Sequence, residues 1–138
     1  MQFKCVAYTS LAALDLDERQ LRDIQAAARD LNGIDGISGL LIFNGTHFLQ
    51  WIEGPPQAID DLMARLRRDP RHSAVEVREE RLTNDRLFGG WSMEVVRVRS
   101  PYLHACEDIE RALPAGLPAA IRHRILAMAE CISAEVAP

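Results

Sequence analysis

Two apolar runs on either side of an Asn-Gly pair constrain the fold more than any other feature of the sequence. The runs are ISGLLIF, residues 37–43, and HFLQWIE, residues 47–53. Asn-Gly is the strongest short signal for a tight type I′ turn between antiparallel strands. We therefore expect a β-hairpin with Asn44 and Gly45 at the two central positions of the turn.

Gln50 is the unexpected residue of this hairpin, because it interrupts the apolar face of its strand. Counting outward from the turn pairs Gly39 with Gln50 and Leu41 with Phe48. Cross-strand partners share a face, so the amide would lie among apolar side chains, at a gap over the glycine. A buried amide without partners costs about 1–3 kcal/mol. Some other group must therefore satisfy Gln50.

The segments around the hairpin predict two helices and three more strands. They are a strand over 2–9, a helix over about 18–31, a helix within 55–72, and strands over 73–82 and 91–100. Asp17 and Gln20 form a capping-box pattern before the first helix, and Asn32-Gly33 is its expected end. The βαββαββ order favours an α+β, ferredoxin-like sheet with two helices on one face. The usual strand order of that fold places the first and third strands side by side, which brings Tyr8 near Gln50.

The C-terminal part of the chain predicts a helical cap on the other face of the sheet. An apolar stripe at helical spacing must be covered there; it consists of Ile121, Ile125, Met128 and Ile132. We therefore expect a sheet domain over residues 1–100 and a helical cap of the same domain over residues 101–138.

Composition and charge narrow the class of protein. With 138 residues, 48% of them hydrophobic, the chain is long enough for one domain with its own core. The net charge of −4, with both signs interspersed, favours no direct contact with nucleic acid. Three cysteines at long separations indicate a reducing cytoplasm, and no apolar run reaches the roughly 20 residues of a membrane span.

Motifs of common enzymes are missing from the sequence. The histidines and cysteines have no metal-ligand spacing, no glycine pattern suggests a nucleotide loop, and no nucleophile stands beside an evident base. A polar set on an apolar background remains, namely Tyr8, Asn32, Gln50, Trp91 and Met93. From spacing alone, an ordinary buried hydrogen bond explains Tyr8 and Gln50 as well as a functional site does.

Five motifs in order resemble the BLUF family of blue-light sensors. They are AYTS on the first strand, an asparagine followed by GISGLLIF, then FLQWIEG, RDPRH and RLFGGWSM, and together they cover about residues 1–98. The resemblance implies a flavin held between the two helices of a ferredoxin-like fold. FAD is the expected cofactor and FMN the alternative.

The resemblance also implies a role for individual residues. Tyr8 and Gln50 would form the photoactive pair with the flavin, and Trp91 and Met93 would lie on the strand that responds to it. The implied flavin-binding set is Tyr8, Ile24, Asn32, Leu41, Gln50, Arg65, Asp69, Arg71 and His72. For the last four of these, a solvated helix end is the alternative interpretation.

The function that the resemblance implies is photochemical and not enzymatic. Light excites the flavin, Tyr8 donates an electron and a proton, and Gln50 is left rearranged. The signal would pass to a separate effector protein, and a homo-oligomer is expected. Two alternatives stay open: a small flavin oxidoreductase on the same fold, and a cofactor-free interaction module.

Overall fold

A five-stranded sheet with helices on both faces organises the chain. The computed structural model describes residues 2–13, 15–88, 94–97, 109–111, 113 and 115–134. The strands are β1 (Phe3–Ala12), β2 (Ser38–Phe43), β3 (His47–Gly54), β4 (His72–Thr83) and β5 (Glu94–Arg97). The helices are α1 (Glu18–Asp35), α2 (Pro56–Arg68) and α3 (Ala119–Ala134).

The strand order is β4-β1-β3-β2-β5. The first four strands pair antiparallel, and β5 runs parallel to β2 at the edge. This architecture confirms the predicted α+β, ferredoxin-like fold, including the adjacency of the first and third strands. Among the described residues, no helix is long and apolar enough to cross a membrane.

Alternation along the strands divides the core into two layers. Leu41 faces α1 and α2, where it packs with Ile24 and Ile59. Its neighbour Leu40 faces the opposite way and packs with Ile121 and Ile125 of α3. The helix therefore covers the second face of the sheet, as the apolar stripe predicted.

The other two members of that stripe are Met128 and Ile132. Met128 is only partly buried against the same core, whereas its neighbour Ala129 is fully buried. The side chain of Ile132 lies outside the described residues. The domain boundary at residue 100 stays a prediction.

The hairpin register differs from the prediction by two residues. Leu41 lies opposite Gln50, and Gly39 lies opposite Ile52. Because the shift is even, every side chain keeps its predicted face. The expected gap beside Gln50 is therefore wrong: Gly39 is required elsewhere, since a Cβ at this position would collide with the backbone oxygen of Trp51.

The side chain of Asn44 explains the register. Its Oδ1 accepts hydrogen bonds from the backbone N–H groups of Thr46, at 3.1 Å, and His47, at 2.8 Å. Asn44 thus stands before the turn, in the manner of an Asx-turn, and its own N–H donates to the carbonyl of His47. Gly45 and Thr46 are the central residues.

The end of α1 also differs from the prediction. The helix continues past Asn32-Gly33 to Asp35. Gly36 follows with φ of 69°, the left-handed conformation that commonly ends a helix. The start agrees with the prediction, because Asp17 and Gln20 exchange the two hydrogen bonds of a capping box.

Candidate functional site

A cavity of about 270 Å³ lies between the sheet and helices α1 and α2. Small-molecule sites usually enclose about 300–1,000 Å³, so this cavity suits one ring system better than a whole dinucleotide. Eight of the predicted site residues line it: Tyr8, Ile24, Leu41, Gln50, Arg65, Asp69, Arg71 and His72. The structure thus brings together residues that lie on four strands, two helices and the turn after α2.

Four lining residues were missed from the sequence. They are Ala27, Ile37, Leu62 and Leu66. Three of them carried a usable signal, because Ala27 lies one turn after Ile24, and Leu62 and Leu66 are one turn apart on the apolar face of α2.

Three predicted residues cannot be placed around the cavity. Trp91 and Met93 lie outside the described residues, and so does the side chain of Asn32, whose backbone belongs to α1. Their proposed roles stay predictions.

Tyr8 and Gln50 form the floor of the cavity. They are direct partners across β1 and β3, and both are buried, with exposed fractions of 0% and 5%. The Tyr8 hydroxyl donates a hydrogen bond to Oε1 of Gln50. Burial raises the pKa of Tyr8 and the charge of Asp69 raises it further, so the phenol keeps its proton near neutral pH.

His72 closes one side of the cavity as a neutral ring. Its Nδ1 lies 3.0 Å from Oγ of Ser10 in a buried hydrogen bond, and its ring lies 4.6 Å from that of Phe48. Burial lowers the pKa of His72, and Arg71 adds to this effect, while Asp69 opposes it. The imidazole is therefore uncharged at neutral pH.

Asp69 and Arg71 add a charged pair. Arg71 donates from Nε to Oδ1 at 3.0 Å and from Nη2 to Oδ2 at 2.7 Å. The guanidinium lowers the pKa of the Asp69 carboxyl, so both groups are ionised at neutral pH. Such a fork of parallel bonds holds both side chains in one orientation.

Glu53 is a second buried polar residue of β3, on the opposite face of the sheet from Gln50. It is 1% exposed, and its two oxygens accept the backbone N–H groups of Leu87, at 2.8 Å, and Phe88, at 2.6 Å. Phe88 packs against Trp51, with the ring centres 6.1 Å apart. Glu53 therefore ties the strand of Gln50 to the segment that leads towards Trp91.

The arrangement has the chemistry of a site for an aromatic ligand. Its walls are aliphatic, its floor offers one amide and one phenol, and charged groups stand at the end of α2 and in the turn beyond it. A flavin fits this pattern, because a planar ring with a polar edge needs apolar faces and a few hydrogen-bonding groups. Within the described part of the chain, no group of three or more His, Cys, Asp or Glu side chains could hold a metal ion.

Comparison with known proteins agrees with this chemistry. The family model BLUF, "Sensors of blue-light using FAD", matches residues 3–94. The blue light- and temperature-regulated antirepressor BluF of Escherichia coli is 28% identical over 106 residues, which are 77% of this chain and 26% of that protein. Photoactivated adenylate cyclase subunit alpha of Euglena gracilis is 34% identical over 74 residues, 54% of this chain and 7% of that protein. The chain thus spans about a quarter or less of these relatives.

Solved structures of similar length share the fold. The dark-state structure of BlrB, a BLUF protein, is 31% identical with a TM-score of 0.72, and the match covers 97% of both chains. The BlrP1 BLUF structure is 26% identical with a TM-score of 0.79, covering 100% of this chain and 94% of that one. Since the family model matches well over half of the sequence, the chain belongs to the BLUF family of blue-light sensors that use FAD.

Proposed function

We propose that this chain holds a flavin nucleotide noncovalently between α1 and α2 and reports blue light through the Tyr8–Gln50 pair. The observation that carries the proposal is the buried hydrogen bond from Tyr8 to Gln50 at the floor of the cavity. A structural hydrogen bond needs no cavity beside it. Here the amide lines an apolar space large enough for a ring.

The lining residues divide into three roles in this proposal. Ile24 and Leu41 would pack on the faces of the ring, and Gln50 would bond to its carbonyl edge. The groups beyond the ring are polar and serve the pyrimidine edge or the ribityl chain; they are Arg65, Asp69, Arg71 and His72. We also assign Asn32 to the polar edge of the ring, and Trp91 and Met93 to the responding strand, by resemblance to the family.

The cofactor is FAD in this proposal, as in the description of the family. In this proposal the cavity holds the ring, which FAD and FMN have in common. The bound nucleotide is therefore to be identified by experiment.

The protein's part in the switch is to hold and move a proton between two side chains. A bound flavin supplies blue-light absorption and an excited state that accepts an electron from a nearby phenol. Burial keeps the proton on Tyr8 Oη in the dark, and Gln50 Oε1 is its acceptor. Rotation or tautomerisation of the amide exchanges the group that Gln50 offers to Tyr8 and to the cavity. The aliphatic walls exclude water, so each state keeps its own hydrogen bonds.

The output in this proposal is a change of contacts with a separate effector protein, with no turnover by this chain. Glu53 supports such a route, because it joins β3 to the segment of Phe88, which packs on the same core as α3. We place the protein in the cytoplasm, where the free, buried thiol of Cys5 would stay reduced.

The test is an absorption spectrum in darkness, under blue light and during dark recovery, with the bound nucleotide identified after release. We expect a yellow protein with a small, reversible red shift. Tyr8→Phe and Gln50→Leu should abolish the shift, whereas Gln57→Leu on the exposed surface of α2 should leave it unchanged. A protein that takes up no flavin, or one whose bound flavin never shifts, would overturn the proposal.

A further inference from the structure

The outer edge of β4 is an exposed surface that the photosensory site does not use. The strand has twelve residues and ends the sheet on one side. No described segment pairs with its outer edge. Val77 and Leu82 on this strand are 37% and 56% exposed, which is high for large apolar side chains. A long edge with exposed apolar residues is a template for pairing with another strand.

A bulge divides β4 into two halves. Val77 lies opposite Tyr8 and Glu79 lies opposite Ala7, so Arg78 has no counterpart of its own on β1. An extra residue of this kind changes the alternation of side chains along a strand. Odd-numbered residues before the bulge, such as Val77, therefore share a face with even-numbered residues after it, such as Glu80.

The face towards α2 carries the apolar residues and one carboxylate. Val75 packs against the core beneath α2, and Val77 and Glu80 border a groove with Met63 of that helix. Leu82 lies opposite Lys4, two positions from Glu80, and so belongs to the same face.

The face towards α3 carries charges of both signs. Glu79 pairs with Arg124 of α3 at 3.2 Å. Glu76 and Arg78 pair with each other at 3.0 Å, and Arg81 lies opposite Cys5, whose side chain belongs to the core under α3.

We propose that two copies of this chain pair through β4, antiparallel, about a two-fold axis between Arg78 and Glu79. In this register Glu76 lies opposite Arg81 of the second copy, and Arg78 lies opposite Glu79. The two-fold axis repeats both contacts, so four pairs of opposite charge form on one face. Opposite charges directly across an antiparallel pair are favourable.

One apolar pair forms in the same register. Val75 lies opposite Leu82 of the second copy, while Val77 lies opposite Glu80 and is the diagonal neighbour of Leu82 on that face. Leu82, the most exposed of the large apolar side chains described, is thereby covered.

The bulge explains why this register works. In a regular strand, an axis between two residues would place side chains of opposite faces across from each other. The extra residue at Arg78 corrects the parity, so every pair from Val75 to Leu82 joins side chains of one face. The registers centred on Glu76 or on Arg81 would place identical charges opposite each other.

The first half of the α3 stripe does not compete for this role. Ile121 and Ile125 are buried against the chain's own sheet, so these two residues of α3 are already covered. The edge of β4 leaves backbone donors and acceptors as well as apolar side chains for a second copy.

Light scattering over a concentration series, with and without blue light, tests the dimer. We expect wild-type protein to reach twice the mass of one chain. Glu76→Arg should raise the dissociation constant about tenfold, because two attractive contacts become repulsive. The double swap Glu76→Arg with Arg81→Glu should restore dimerisation, because the pairs reform with reversed sign.

A second variant guards against a folding defect in the swap. Leu82→Glu should weaken the dimer, because Leu82 lies opposite Val75 of the second copy, and the exposure of Leu82 in the single chain lets the chain fold with a glutamate there. Leu11→Glu, at an exposed leucine of β1, is the matched control and should leave the dimer unchanged. A wild-type protein that stays monomeric would overturn the proposal. A dimer that Glu76→Arg and Leu82→Glu leave unchanged would also overturn it.

Discussion

Tyr8 and Gln50 lie directly across from each other on neighbouring strands, and the phenol of the first donates to the amide oxygen of the second. Both side chains are buried beside an apolar cavity. The pair is therefore a structural element of the core and the polar floor of the candidate flavin site at once.

The first prediction concerns the strength of this pair in flavin-free protein. Tyr8→Phe removes the donor and should lower the free energy of unfolding by about 1–3 kcal/mol, the usual cost of losing a partner in a buried hydrogen bond. Adding Gln50→Leu should recover part of the loss, because apolar groups then face each other. Urea unfolding of both single variants and the double variant gives the coupling energy. Strictly additive changes would contradict an energetic link between the two side chains.

The closeness of Tyr8 to Gln50 could be predicted from the sequence because it depends on topology alone. Element order selects the ferredoxin-like sheet, and that sheet places the first strand beside the third. The exact opposition of the two residues could not be predicted, since α1 and β2 separate the two strands in the chain and no turn fixes their register.

The hairpin and the first helix show, in physical terms, why some details of the fold could not be predicted from the sequence. Asn44 is equally suited to a central turn position and to accepting hydrogen bonds from the residues after it. Likewise, Gly33 and Gly36 both suit a helix end, and the sequence does not distinguish them. Glu53 carried no sequence signal, because its partners are backbone N–H groups of a distant loop.

The second prediction concerns pH. The folded-state pKa of His72 lies below its ordinary value of 6.5. Below about pH 6.5 the unfolded chain therefore binds a proton that the native chain does not. Stability should fall as pH drops through this window, by at most about 1.4 kcal/mol per pH unit.

His72→Gln isolates this contribution. The variant should lose the part of the slope of unfolding free energy against pH that His72 contributes. Subtracting its unfolding free energy from that of wild type at each pH removes the effects of other groups. That subtraction matters because burial raises the pKa of Glu53, which gives a slope of opposite sign above about pH 4.5. Equal slopes for variant and wild type would contradict the assignment.

The third prediction concerns the link from β3 to the loop before β5. Glu53→Gln keeps the shape but replaces one acceptor with an N–H group, so one of the two loop amides loses its partner. We expect a loss of about 1–3 kcal/mol in unfolding free energy. Hydrogen exchange should be faster at the amides of Leu87 and Phe88 and unchanged at Ile42 of β2. Uniform acceleration would indicate global destabilisation and would contradict a local role for Glu53.

The fourth prediction concerns Gly39, which allows β2 and β3 to approach closely. Its φ of 155° and the nearby backbone oxygen of Trp51 leave no space for a Cβ. Gly39→Ala should cost more than about 4 kcal/mol, in the range of severe backbone conflicts, because a backbone atom cannot move aside as a flexible side chain can. Gly116→Ala is the matched control, since nothing lies within 4 Å of a Cβ there, and its unfolding midpoint should change little. Thermal unfolding of the two variants measures the difference. Equal midpoints would show that the strands can separate locally to admit a methyl group. The position of Gln50 in the sheet would then be less rigid than this geometry requires.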